Sequence, residues 1–136
     1  MLPLIQEIAT RLESVRAQIG AAAQRSHRPH PAIEIVAVSK THPPDAIRAA
    51  LDAGQSLFGE SRIQEARAKI PEISGRARWH FIGHLQTNKI RHALVLGFEL
   101  FHGIDSAGLA AQLNRVATEM GLRPRLLLEV NVAGES

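Results

Sequence analysis

Ile33-Glu34-Ile35-Val36-Ala37-Val38-Ser39-Lys40 is an apolar run of strand length that ends on a lysine, and Thr41-His42-Pro43-Pro44-Asp45 follows it as a turn and a helix start. Proline in a first helical turn sacrifices no hydrogen bond, and an acid there suits the positive end of the helix. The run is nearly continuous, which predicts a strand over 33–39 covered on both faces, as in a parallel sheet. Side chains alternate along a strand, so Val36, Val38 and Lys40 share one face while Ile35, Ala37 and Ser39 share the other. If the second face meets helices, Lys40 points into the mouth of a barrel, at the strand end where such barrels build their sites. Burial there would favour the neutral amine, a nucleophile and Schiff-base former. The plainer alternative is a strand-end lysine whose ammonium reaches solvent.

Upstream, Leu4, Ile5, Ile8, Leu12, Val15 and Ile19 recur at helical spacing, which predicts an amphipathic helix over 3–22. Residues 24–31 (QRSHRPHP) read as a polar loop. Downstream, Ile47, Ala50 and Leu51 mark the buried face of a helix that Gly54 is placed to stop. A short strand over 56–60 leads into a helix over 61–70, where Ser61 and Gln64 have capping-box spacing. Strands follow over 78–83 and 98–104, with a mostly helical stretch over 86–96 between them. Asp105-Ser106 then opens a helix carrying Leu109, Leu113, Val116 and Met120 on one face, with Gly121 at its end. The last strand is expected over 126–132 (LLLEVNV). Strands and helices alternating in this way predict an α/β chain with parallel strands and helices outside them. A doubly wound open sheet is the other candidate, but the loop after the first strand has no glycine-rich phosphate signature.

Composition narrows the classes. The 136 residues, 45% hydrophobic, suit one domain over 1–136 with a real core. No apolar run has the length of a membrane span, and the N-terminus lacks a signal-peptide pattern, so no membrane partner is expected. Cysteine is absent, which excludes disulfides and thiolate chemistry and suits a reducing cytoplasm. The isoelectric point near 10.2 overstates the charge, because a net +3 drives it high in a chain without tyrosine or cysteine. Basic residues are scattered among acids and aromatics make up only 4%, so no nucleic-acid stripe is visible.

Trp79-His80-Phe81-Ile82-Gly83-His84 places His80 and His84 on one side of a strand, without an intervening glutamate or a third ligand at suitable spacing. No metal site is predicted; His80 is expected to line the interior and His84 to donate a turn hydrogen bond. Ser39, Asp105 and a histidine lack a nucleophile elbow, so serine hydrolysis is unsupported. Asn131 ends the last predicted strand, facing the mouth or forming a turn.

Four segments carry a resemblance: residues 37–41 (AVSKT), 58–65 (FGESRIQE), 79–89 (WHFIGHLQTNK) and 131–135 (NVAGE). In that order they resemble the pyridoxal phosphate homeostasis protein family, also described as proline-synthetase co-transcribed homologues, from about Ile33 onward. The resemblance implies a barrel like the N-terminal domain of alanine racemase, of the fold-type III kind, with pyridoxal 5′-phosphate (PLP) held as a Schiff base on Lys40. Val38, Ser61, His80 and Asn131 are the expected cofactor neighbours. It further implies a non-catalytic protein acting in vitamin B6 and amino-acid balance. A PLP-dependent racemase- or decarboxylase-like enzyme is the alternative, although the chain has no tyrosine to serve as an opposed acid or base. Ser61 stands where the family usually has asparagine after Phe-Gly-Glu, and a hydroxyl has a shorter reach than an amide.

A barrel of this kind needs eight strands and typically about 200 residues or more. The chain is therefore expected to be an incomplete barrel, an N-terminal helix plus about five strands, without the phosphate cup that the family builds on later strands. Open strand edges and an uncovered inner face predict self-association, and an inactive fragment is a third reading.

Overall fold

The computed structural model describes residues 2–29, 32–73 and 75–136; His30 and Pro31, the end of the expected loop, lie outside the described residues. Its elements are α1 (Leu2–Arg25), β1 (Ala37–Val38), α2 (Pro44–Asp52), β2 (Leu57–Glu60), α3 (Ile63–Lys69), β3 (Arg78–His84), α4 (Ile90–Val95), β4 (Leu100–Ile104), α5 (Ala107–Glu119) and β5 (Leu126–Leu128). The five strands form one sheet in the order β1-β2-β3-β4-β5, every pair parallel. Sequential order with a helical crossover between strands is the local connectivity of a (β/α) barrel wall, because such crossovers share one hand and stack helices on one side.

The core fills the space between that side of the sheet and the helices. Phe58, Trp79, Phe81, Phe101 and Ile104 from the strands meet Ile47, Ile63, Ile90, Leu109 and Leu113 from the helices. Phe81, Phe98 and Phe101 pack as tilted or edge-on rings with centroids 5.4–6.1 Å apart. Each such ring, taken fully out of water, contributes about 1.5–3 kcal/mol. The opposite face of the sheet carries Val36, Gly59 and Ile82 against one another; a Cβ built on Gly59 would lie 3.0 Å from Val36 and 3.1 Å from Ile82.

Several boundaries differ from expectation. The first strand pairs only over Ala37–Val38, with one further bond from Ser39 N–H to the Gly59 carbonyl at 3.0 Å. The buried Gln55 side chain holds the rest of the segment instead, its Nε2 donating to the carbonyls of Ile35 and Leu57 at 2.7 Å each. The last strand stops at Leu128 and not at Val132; beyond it Val130 and Val132 are exposed. Apolar content marks burial potential, whereas a ladder also needs a neighbour in register, and both shortened strands are the edges of the sheet. Ser61 does not cap α3: Arg62 is the N-cap residue and makes no side-chain capping bond. Ser106 caps α5 as expected, accepting from Leu109 N–H at 3.1 Å.

One glycine fixes the spacing at the carboxyl end of the sheet. A Cβ on Gly83 would sit 2.2 Å from the Ser61 carbonyl oxygen, so the turn after β2 rests directly on the backbone of β3. No helix among the described residues is long and apolar enough to cross a membrane.

Candidate functional site

The carboxyl ends of β1, β2 and β3 lie side by side. Val38 pairs with Gly59 and Gly59 with His80, so these three form one row across the sheet, with Lys40 and Ser61 two positions further toward the rim. Alternation along β1 holds: Ala37 packs on the core and Ser39 is buried, while Val38 is 51% exposed. Lys40 follows in the turn and is itself exposed. The expected burial is therefore absent, because β1 ends two residues before it. Its amine has no hydrogen bond or ion pair among the described residues.

A buried lysine does exist, and it is Lys69. Its Nζ lies 2.7 Å from the Ser39 carbonyl, 3.0 Å from Glu60 Oε1 and 2.6 Å from Glu65 Oε1. Glu60 is fully buried and also accepts from the Ser39 hydroxyl. Glu65 accepts from the Thr41 backbone N–H. The Lys69 ammonium holds the Glu65 carboxyl below its ordinary range, with the Thr41 bond acting in the same sense against partial burial. Thr41 itself has φ +67°, a left-handed conformation that costs a β-branched residue about 1–3 kcal/mol unless its surroundings impose it. Sequence reasoning passed over this group. Its signals were Glu65 and Lys69 at i,i+4, in the favoured order, and a lysine three residues past buried Ala66.

The remaining expected residues are spread. Ser61 is half-buried and, with Glu65, His84 and Lys89, borders an open cleft of about 580 Å³ between the turns after β2 and β3. His80 does line the open face, its Nδ1 3.0 Å from His102 Nε2. Burial first, and then the neighbouring His102, push the His80 imidazole below its ordinary value, with Arg78 adding to this and Glu99 and Glu34 opposing it. An imidazole that resists protonation only when folded makes acid destabilising: its contribution is intact above about pH 6.5 and is lost as pH falls toward the folded-state value. The unfolding midpoint is expected to drop between about pH 7 and pH 5.5, with a flatter profile for His80→Gln. An unchanged slope in that variant would place the acid sensitivity elsewhere.

His84 makes no turn hydrogen bond; its ring faces Asp105 at 3.6 Å. Asn131 closes its own turn, its Nδ2 donating to the Glu135 carbonyl at 2.5 Å and its Oδ1 accepting from Glu135 N–H at 3.1 Å. Among the described residues, Ser61, Val38 and Asn131 border three different cavities. Among the described residues no group of three or more His, Asp or Glu side chains is placed to hold a metal ion.

No family model matches the chain. The pyridoxal phosphate homeostasis protein of Escherichia coli (strain K12) is 38% identical over 136 residues, covering 97% of this chain and 58% of that protein. Among solved structures, PipY of Synechococcus elongatus PCC7942 with PLP bound is 43% identical with a TM-score of 0.80, covering 95% of this chain and 57% of PipY. An unknown protein from Bifidobacterium adolescentis is 32% identical with a TM-score of 0.91, over 98% of this chain and 58% of the other. The chain spans a little over half the length of the curated relatives it matches, 55% and 58% for the first two.

Proposed function

The chain is homologous to the pyridoxal phosphate homeostasis proteins over the part of them that it spans, and from that premise we propose that it is a PLP-binding protein that holds the cofactor covalently at Lys40. The carrying observation is Lys40 itself: an exposed, unpartnered amine in the Val-Ser-Lys turn at the carboxyl end of β1, in a chain 43% identical to a protein solved with PLP bound. The residues present fit the aldehyde end of the cofactor, which requires an accessible primary amine. When bound, PLP supplies an aldehyde that condenses with such an amine and a conjugated ring that withdraws electrons.

Val38 would give the cofactor an apolar floor, and Ser61 a hydroxyl on the neighbouring turn. His80, one row deeper, would face it with an imidazole kept neutral by burial. Asn131 would contribute only by leaving its Glu135 turn. The role that follows is custody of PLP in vitamin B6 and amino-acid balance, without turnover, by a single domain working in the cytoplasm. Titration of the full chain with PLP is expected to give a saturable visible band at one equivalent. A band growing linearly with cofactor, as for any surface amine, would refute the proposal.

The same reading includes self-association. Val38, Leu127, Leu128, Val130 and Val132 leave apolar surface at or beyond the two sheet edges, with Leu128 73% exposed. Edges of this kind pair or stack with other chains. Sedimentation across a concentration series is expected to show species heavier than the 14.8 kDa chain. A monomer at every concentration would contradict it.

A further inference from the structure

We propose that Lys69, Glu60 and Glu65 act as a positioning clamp for the Lys40 turn, with Glu65 as the arm that sets the backbone immediately after Lys40. The functional half of this inference rests on Lys40 being the cofactor-holding residue; the geometric half does not.

An ammonium has three protons to donate, and Lys69 has three partners: the Ser39 carbonyl, Glu60 and Glu65. All three lead to the residues on either side of Lys40. Ser39 is held at its carbonyl by Lys69 and at its hydroxyl by Glu60. Thr41 is held at its N–H by Glu65. The residue before Lys40 and the residue after it are therefore both tied to one buried cation, and Thr41 is left-handed as the third residue of a turn that His42 N–H closes on the Ser39 carbonyl at 3.1 Å. The Lys40 side chain stays free while its Cα is fixed.

Stability alone does not explain the arrangement. Replacing a buried ion pair by apolar side chains of similar volume is often neutral or favourable, so a helix that merely had to dock on β2 has no need of one. What a charged cluster adds is directed bonds to backbone atoms, and here those atoms flank the amine that would meet the cofactor. Groups that orient a reacting residue without touching its partner commonly change its performance by about tenfold to a hundredfold.

Glu65 provides the test, because its side chain is 22% exposed against 0% for Glu60 and its loss orphans no fully buried charge. Glu65→Ala removes the acceptor for Thr41 N–H, whereas Glu65→Gln keeps a carbonyl oxygen there. The probe is PLP itself on the full chain: the Lys40 amine condenses with the aldehyde, one water leaves, and borohydride delivers the hydride that fixes the bond. Glu65→Ala is expected to slow trapping at Lys40 about tenfold and to speed hydrogen exchange at the Thr41 amide, with Glu65→Gln near wild type in both. A helix-packing role would weaken both variants alike or neither, and either result would overturn the clamp. Should the unaltered chain show no selective trapping at Lys40, the functional proposal fails. The Thr41 exchange rates then decide the clamp alone: faster exchange in Glu65→Ala supports it and equal rates reject it.

Discussion

Lys69→Met is expected to cost about 3–5 kcal/mol of unfolding free energy, because it leaves a carboxylate buried without its counter-charge. Glu60 has no solvent exposure, and its other contact is the Ser39 hydroxyl, which brings a proton but no charge. Methionine matches the length of the lysine stem, so the loss isolates the ammonium and not the packing. Domains are typically stable by about 5–15 kcal/mol, and a loss of this size consumes much of that margin. Denaturant unfolding at fixed protein concentration measures it. The double substitution Glu60→Leu with Lys69→Met should recover most of the loss, since the pair is then removed together. Equal damage in the single and double variants would mean that the cluster contributes through shape alone.

The second large effect concerns Lys40. Lys40→Ala is expected to abolish the saturable visible band on PLP titration while leaving the unfolding free energy within about 0.5 kcal/mol of the unaltered chain, as for an exposed residue with no partners. Arg62 and Lys89 would remain at the rim, so a lost band cannot be attributed to loss of general cationic attraction. Retention of the band would move the covalent site to Lys89 or Lys69. Lys69 is a poor candidate, because each of its protons is already engaged by an oxygen.

What the sequence made legible depended on which physical signal each feature leaves. The alternation of strands and helices, the parallel sheet and the parity of β1 could all be read from apolar spacing, since burial on one or both faces writes itself into the pattern. The cap at Ser106 was equally readable, because a hydroxyl before an apolar-periodic run has one common use. Strand ends were less so. Residues 33–36 and 129–132 have strand composition, but Gln55 pins the first stretch and the second continues past the last ladder pair. Tertiary neighbours decide such cases, and a single sequence does not display them.

The candidate site divided in the same way. Lys40 was visible from its place at a strand end, and of its two readings, a buried amine or one that reaches solvent, the exposed one is formed; the buried lysine sat twenty-nine positions later on a helix. Charged residues on a helix read as solvated by default. Only the three-dimensional meeting of Ser39, Glu60, Glu65 and Thr41 shows that Lys69 turns inward. Asn131 illustrates the reverse: a strand-end asparagine with two readings, of which the turn with Glu135 is the one formed.

The Lys40 amine, and no other in this chain, is proposed to hold PLP. Borohydride reduction of the full chain at one equivalent of PLP, followed by peptide mass mapping, tests it most directly. A single pyridoxyl-modified peptide containing Lys40 is expected. Modification spread across Lys40, Lys69 and Lys89, or absent from Lys40, would contradict it.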